Sequence, residues 1–200
     1  MKQTKIYWLA TPGILGLVVV FGGALLLQKP YTFRGALIEP PAPAADFELR
    51  DAPGNSFRLS DQKGKIVLLF FGYTSCPDVC PTTLADYKQI HKRLGDGAKQ
   101  VEFVMITVDP ERDTPEKVAQ YVDYFNPNFM GLSGDAKELQ AIYEAYGVFV
   151  EKEDSGSSAG YLVSHNPSIF VIDQEGNLRL TFPFGMTAED MAGDIRHLLN

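Results

Sequence analysis

The 200-residue sequence predicts an α/β domain behind one N-terminal transmembrane helix. A run of 23 residues without a charge, 6–28, is long enough to cross a bilayer. The continuous apolar run at 65–71 is typical of a strand that is covered on both faces, and 101–108 predicts a second buried strand. Apolar residues at helical spacing follow these runs, so strands and helices alternate along the chain.

The N-terminal residues divide into three predicted parts. Residues 1–5 form a cytoplasmic N-terminus, 6–28 a transmembrane anchor in contact with membrane lipid, and 29–45 an extended Pro/Ala-rich linker. As a helix the anchor measures about 35 Å. The alternative, a cleaved signal peptide, usually has an apolar core of only about 7–15 residues. We therefore expect a single-pass protein of the bacterial inner membrane, with residues 46–200 as its periplasmic domain.

Charge and composition exclude several classes of protein. A formal net charge of −7 argues against a nucleic-acid partner, which normally needs a basic patch. Two cysteines are too few for a disulfide scaffold. The first 35 residues hold four basic and no acidic side chains, so the remainder carries about −11. Such a charge favours cationic partners or metal ions at long range.

The first half of the domain is predicted from alternation, apolar runs and helix ends. Residues 47–50 and 56–59 alternate around a Pro-Gly-Asn turn, which predicts a hairpin. The buried strand at 65–71 leads through the segment that carries both cysteines into a helix that ends at Gly95. The second buried strand, 101–108, follows.

The second half begins with a helix at Thr114-Pro115, after which apolar residues recur at i, i+3, i+4 and i+7. A strand at 129–132 and a helix stopped by Gly147 follow. Two short strands at 148–151 and 161–163 then flank an acidic Ser/Gly-rich loop at 152–160. A hairpin of 168–172 with 178–182 follows, and a capped helix from Thr187 ends the domain. This order is that of a thioredoxin-like fold, a central mixed sheet flanked by helices.

Cys76 and Cys80 lie where the first buried strand turns into a helix. Unpaired amides and the positive end of the helix dipole favour a thiolate at such a position. A spacing of four residues places both sulfurs on one helical face. The pair can therefore close a disulfide or chelate one ion, and soft thiolates select copper(I), zinc or iron–sulfur clusters. A purely structural disulfide would close a very short loop and stabilise little.

A metal ion held by two sulfurs needs a further ligand, and the sequence contains three histidines. His91 lies three helical turns beyond Cys80 and is expected on a helix face. His197 ends the last helix, where a cation offsets the dipole. His165 precedes the strand at 168–172, in a loop that packs against the cysteine turn in thioredoxin-like folds. His165 is therefore the candidate third ligand.

Asp109 and Asp113 form an apparent pair of carboxylates, yet each has a structural explanation. Asp109 and the proline after it mark the exit of a strand, and Asp113 immediately precedes the helix start at Thr114-Pro115. We expect both carboxylates to have structural roles, with one alternative open for Asp109, which is also a candidate to support a metal ligand without binding the metal ion itself.

Three strings together resemble the SCO/SenC family: LLFFGYTSCPDVCPTTL at 68–84, VDPERDTPE at 108–116, and Val-x-His at 163–165. The resemblance covers about residues 40–199. It implies a thioredoxin-like, membrane-anchored copper protein that helps build the dinuclear copper site of cytochrome c oxidase. It also implies that Cys76, Cys80 and His165 are the ligands of one copper ion, as Cu(I) or Cu(II).

The resemblance also implies partners and has two departures. The partners would be a copper-receiving subunit of a respiratory oxidase and a periplasmic copper donor or thiol reductant. The family commonly has an acidic residue just before the histidine, where this chain has Ser164. Pro167 stands where thiol–disulfide relatives carry a cis-proline.

Two other functions stay open at this point. In the first, Cys76 and Cys80 are the redox-active pair of a thiol–disulfide oxidoreductase that keeps the cysteines of the oxidase copper site reduced. In the second, the chain is a redox or copper sensor that uses the acidic segment 152–160 as a partner surface.

Overall fold

The computed structural model of the chain describes residues 31–52, 54–157 and 160–200. The predicted cytoplasmic N-terminus, 1–5, and the predicted anchor, 6–28, lie outside these ranges. No helix within the described ranges is both long and apolar enough to cross a membrane. Residues 33–200 form one structural unit, and the fold below is that of this unit.

The described residues form ten strands and four α-helices, with short 3-10 turns at Leu59–Gln62 and Gly95–Gln100. In chain order the elements are β1 (Ala36–Pro43), β2 (Glu48–Arg50), β3 (Ser56–Arg58), β4 (Ile66–Gly72), α1 (Val79–Leu94), β5 (Val101–Thr107), α2 (Pro115–Asp123), β6 (Phe129–Leu132), α3 (Ala136–Tyr146), β7 (Val150–Ser157), β8 (Gly160–His165), β9 (Ile169–Ile172), β10 (Asn177–Phe182) and α4 (Ala188–Leu198).

The central sheet has the order β1-β10-β9-β4-β5-β6. Strands β4, β5 and β6 run parallel, whereas β9, β10 and β1 add as antiparallel neighbours. Every residue of β4 is buried, as its continuous apolar run predicts for a strand covered on both faces. The prediction of a central mixed sheet flanked by helices is therefore confirmed.

The predicted helix ends at Gly95, Thr114, Gly147 and Thr187 are confirmed, and the start of α3 carries a capping box that was not predicted. Asp135 and Glu138 form a capping box at the start of α3, and Gly147 ends that helix in the left-handed conformation with φ of 64°. Thr187 caps α4 by accepting from the amide of Asp190. On the inner face of α1, the buried Tyr87 hydroxyl donates to the Leu68 carbonyl at 3.0 Å and ties the helix to β4.

The stretch predicted as a linker, 29–45, differs from expectation because Ala36–Pro43 forms the edge strand β1. The buried carboxylate of Asp194 accepts from the amides of Arg34 and Gly35 at 3.0 and 2.8 Å, which aligns the chain with β10. Prolines lack an amide donor but are tolerated in an edge strand. Composition alone therefore did not distinguish this strand from a linker.

The segment predicted as an acidic loop, 152–160, also differs, because β7 and β8 continue through it as a hairpin. Lys152 pairs with Val163, and Asp154 with Tyr161. The backbone ladder of a two-stranded ribbon needs no apolar side chains, so a charged Ser/Gly-rich segment can still form strands. Beyond this hairpin, the Asn166–Pro167 peptide bond is trans.

We expect Asp194→Ala to destabilise the domain, since it removes the acceptor of both amide hydrogen bonds at the start of β1. The free energy of unfolding should fall by about 2 kcal/mol. Chemical denaturation of the variant measures this loss. Asp123→Ala, which removes an exposed carboxylate at the end of α2, should change it by less than about 0.5 kcal/mol. Equal losses in the two variants would contradict the role of Asp194.

Candidate metal centre

The cysteine turn, residues 73–78, connects the buried end of β4 to the start of α1. Cys76 is half-buried in this turn, and Cys80 lies fully buried in the first turn of α1. The amide of Cys80 donates to Cys76 Sγ at 3.3 Å. The predicted position of the cysteines between a strand and a helix is confirmed. Amides in the first turn of a helix have no partner within the helix, and here one of them donates to the Cys76 sulfur.

The pKa values of the two thiols are shifted in opposite directions. A hydrogen bond from the Cys80 side chain lowers the pKa of Cys76 to about 5, against the effect of burial, and the amides of Cys80 and Asp78 and the ring of His165 lower it further. The same side-chain hydrogen bond and burial raise the pKa of Cys80 far above its ordinary value. At neutral pH the pair therefore consists of a Cys76 thiolate that accepts from a Cys80 thiol.

Gly72, the last residue of β4, allows Cys80 to approach the sheet closely. A Cβ atom at this position would lie 3.0 Å from Cys80 Sγ and 2.6 Å from Cε1 of Phe70. Contacts this short require a neighbour to move, so a glycine here has a steric reason. Gly72 thus belongs to the structure that places the buried sulfur.

His165, the last residue of β8, presents one ring nitrogen without a partner. Its Nδ1 lies 3.2 Å from the Val163 carbonyl, and because a carbonyl only accepts, Nδ1 donates. In the neutral ring Nε2 is then unprotonated. This Nε2 is buried and has no hydrogen-bond partner among the described residues. A lone pair held in this way is suited to bind a metal ion.

Cys76 and His165 line a common cavity of about 270 Å³ between the cysteine turn and β8. The Tyr73 ring stands edge-on to the imidazole there, with the ring centroids 5.9 Å apart. Within the described part of the chain, no three Cys, His, Asp or Glu side chains converge closely enough to hold a metal ion as placed.

The other two histidines lie elsewhere, on helix faces. His91 packs against the rings of Phe103 and Phe129, and His197 against the ring of Phe33. A larger cavity of about 530 Å³ lies beside α2 and β6, and none of the predicted site residues lines it. The cavity between Cys76 and His165 is therefore the one that matches the predicted chemistry.

Asp113 has the expected structural role, and it acts on the cysteine turn itself. Its buried carboxylate accepts from the amide and the hydroxyl of Thr74 at 2.9 and 2.5 Å. It also accepts from the Thr107 hydroxyl at 2.9 Å and pairs with Lys117 at 3.3 Å. A helix start explains its position in the sequence, but only the fold shows that it holds Thr74.

Asp109 connects the segment after β5 to the hairpin that carries His165. The Tyr161 hydroxyl donates to this buried carboxylate at 2.6 Å, and Arg112 pairs with it through Nε. Arg112 also donates to the Tyr161 carbonyl at 2.9 Å. Neither Arg112 nor Tyr161 was predicted from the sequence. A signal was present in the DPER segment, since a buried carboxylate needs a nearby cation.

Comparison with known proteins gives consistent matches. A family model described as SCO1/SenC matches residues 36–200. A SCO2-like protein of Rickettsia felis is 35% identical over 132 residues, 66% of this chain and 64% of that protein, so the chain spans just under two thirds of this relative. The solution structure of apo Sco1 from Thermus thermophilus matches with a TM-score of 0.76 and 37% identity, over 86% of this chain and 100% of that one. Copper-bound ScoI of Bradyrhizobium japonicum matches with a TM-score of 0.72 and 36% identity, over 79% and 100%.

The unequal acidities of the cysteines predict selective alkylation. At pH 6 the Cys76 thiol, with a pKa of about 5, is mainly a thiolate. It should react with iodoacetamide about tenfold faster than a free cysteine, since a larger thiolate fraction outweighs the lower nucleophilicity. Cys80, buried and protonated, should remain unmodified, and peptide mass spectrometry distinguishes the two sites. In guanidinium both should react alike, whereas equal labelling of the folded chain would contradict the assignment.

The close contacts at Gly72 predict that an alanine destabilises the domain more at this position than at Gly97. Gly72→Ala should lower the free energy of unfolding by about 1–3 kcal/mol, since Phe70 or the Cys80 sulfur must move. Gly97→Ala is the matched control, because its Cβ would meet only Leu199 at an ordinary 3.5 Å. Denaturation curves compare the variants, and similar stabilities would argue against a close approach at Gly72.

Proposed function

Because the chain belongs to the SCO1/SenC family, we propose that it binds one copper ion and delivers it during assembly of the copper site of cytochrome c oxidase. The proposed ligands are Cys76, Cys80 and His165. The observation that carries this proposal is the common cavity, where a thiolate of low pKa faces an imidazole nitrogen without a partner. As the family resemblance implies, copper is the cargo of the protein.

The donor set favours copper(I) over hard cations. Thiolate sulfur is a soft donor and imidazole a borderline one, and this combination suits copper(I). Two sulfurs and one nitrogen make a trigonal set, and a further weak ligand would accommodate copper(II). Among the relatives, ScoI of Bradyrhizobium japonicum has been solved with copper bound, which supports the same cargo here.

Loading follows from the protonation states of the two thiols. Cys76, with a pKa of about 5, offers a lone pair at neutral pH without losing a proton. Cys80, whose pKa is raised by its hydrogen bond to Cys76 and by burial, must release its proton when its sulfur binds copper. Copper binding should therefore release the Cys80 proton, and copper affinity should fall as the pH drops.

Delivery follows from the unequal burial of the ligands. Cys76 and His165 line the open cavity, whereas Cys80 is fully buried behind them. Thiolate or imidazole ligands of an acceptor would enter from the cavity and replace the two accessible ligands first. We propose a copper-receiving subunit of a respiratory oxidase as the acceptor. We also propose that residues 6–28 anchor the domain at the periplasmic face of the bacterial inner membrane, where a copper donor would load it.

The low pKa of Cys76 also supports a second candidate, a thiol–disulfide oxidoreductase. Its thiolate would attack a target disulfide, forming a mixed disulfide and releasing one target thiolate. Cys80 would lose its proton and attack the Cys76 sulfur, releasing the second target thiolate and leaving a Cys76–Cys80 disulfide. A separate thiol reductant would then restore the pair. The raised pKa of Cys80 slows the second attack, which favours copper binding as the main function.

Anaerobic copper(I) titration of the reduced full-length chain in detergent tests the copper proposal. We expect one copper per chain, lost in Cys76→Ser and Cys80→Ser because each removes a sulfur ligand. His165→Ala should lower the affinity at least about tenfold, since one of three ligands is gone. Competition with a chromophoric copper(I) chelator measures these affinities.

His91→Ala is the matched control for a lost imidazole, and its copper affinity should equal that of the parent chain. Unchanged binding in Cys76→Ser would refute the proposal. Complementation of oxidase assembly separates the two candidates. Reductase function requires Cys80 but not His165, whereas copper delivery requires both.

A further inference from the structure

We propose that Tyr161 and Arg112, held together by Asp109, form a latch that positions His165 beside the cysteine turn. The three residues are called the latch below. This inference rests on the proposed function, because it concerns how the third ligand of that site is placed. None of the three touches the copper ligands through a polar contact, so they are positioning residues.

Within the described residues, neither strand of the His165 hairpin pairs with a strand of the central sheet. In the described residues β7 and β8 pair with each other in a two-stranded sheet, separate from the six-stranded one. Hydrogen bonds of the main sheet therefore do not set the position of β8. The short connection 166–168 to β9 and the side-chain contacts between the hairpin and the body of the domain set it instead.

The latch holds Tyr161 at its hydroxyl, its carbonyl and its ring. The hydroxyl donates to Asp109 at 2.6 Å, and the carbonyl accepts from Arg112 at 2.9 Å. The guanidinium carbon lies 3.8 Å from the centroid of the tyrosine ring. Asp109 is fully buried, and charge-assisted hydrogen bonds are strong where water is excluded. Nearby, Lys152 pairs with Glu111 at 2.6 Å, but both side chains are exposed, so this ion pair stabilises the hairpin less than the contacts of Asp109 do.

The position of Tyr161 determines that of His165 along a short strand. Residues two apart in a strand point to one face, so Tyr161, Val163 and His165 share a face of β8. The Val163 amide donates to the Tyr73 hydroxyl at 3.3 Å, and its carbonyl accepts from His165 Nδ1. Without the contacts at Tyr161, the hairpin would rotate about Val163 and carry the imidazole of His165 away from the cysteine turn.

One loop therefore sets the spacing of the two halves of the metal site. Asp113 holds the cysteine turn through Thr74, and four residues earlier Asp109 holds the His165 hairpin through Tyr161. Both carboxylates are fully buried in the segment that follows β5, a strand in which six of seven residues are buried. The loop thus links the imidazole side of the cavity to its sulfur side.

Amide hydrogen exchange on the metal-free full-length chain tests the latch without copper. Tyr161→Phe removes the hydroxyl bond to Asp109 and keeps the ring over the guanidinium. Amides of residues 161–165 should exchange about tenfold faster, since a hydrogen bond to a charged group is lost. Arg112→Lys, which keeps the charge but loses the planar guanidinium, should act in the same direction. Tyr124→Phe is the matched control, because Tyr124 is 85% exposed, and should leave these amides unchanged.

Copper(I) affinity then tests whether the latch acts through His165. Tyr161→Phe should lower the affinity about tenfold in the parent chain and cause no further loss in a His165→Ala background. An equal loss in both backgrounds, or unchanged exchange at 161–165, would overturn the latch. A His165→Ala variant that binds copper as tightly as the parent chain would instead refute the proposed ligand. The metal-free exchange measurement decides the latch in that case too.

Discussion

The buried carboxylate of Asp113 is the constraint on which the cysteine turn depends. Through Thr74 it holds the turn at the end of β4, and through Thr107 it holds the end of the neighbouring strand β5. Because the turn is held there, the side chain and the amide of Cys80 both meet the sulfur of Cys76, and these two contacts, the side-chain hydrogen bond foremost, lower the pKa of that thiol to about 5. The chemistry of the sulfur pair thus begins with a hydrogen-bonded carboxylate outside the cavity.

Most of the fold could be predicted from sequence, because its signals are local and strong. The apolar run of β4, the helix start at Thr114-Pro115 and the helix stop at Gly147 each predict an element that the structure contains. The cysteine turn was predicted for the same reason, since a buried strand followed by a helix places Cys76 at a helix N-terminus. His165 was identified by elimination among three histidines and by family resemblance. That all three bind one copper ion stays a proposal.

The missed features depend on contacts between segments far apart in the chain. The strand β1 contains prolines that predict a linker, and its place in the sheet follows from Asp194, about 160 residues later. The hairpin of β7 and β8 has the composition of a loop, and its position follows from Tyr161 meeting Asp109, 52 residues earlier. No local pattern encodes such pairings, so they become visible only when the strands are assembled.

The prolines of β1 affect whether copies of the domain can associate through the edges of their sheets. An outermost strand with a free row of amide donors is a template on which another chain can add a strand. Pro40, Pro41 and Pro43 carry no such donor, and β1 occupies one border of the six-stranded sheet. The segment therefore closes the sheet on that side and discourages edge-to-edge aggregation, even where many copies are crowded together.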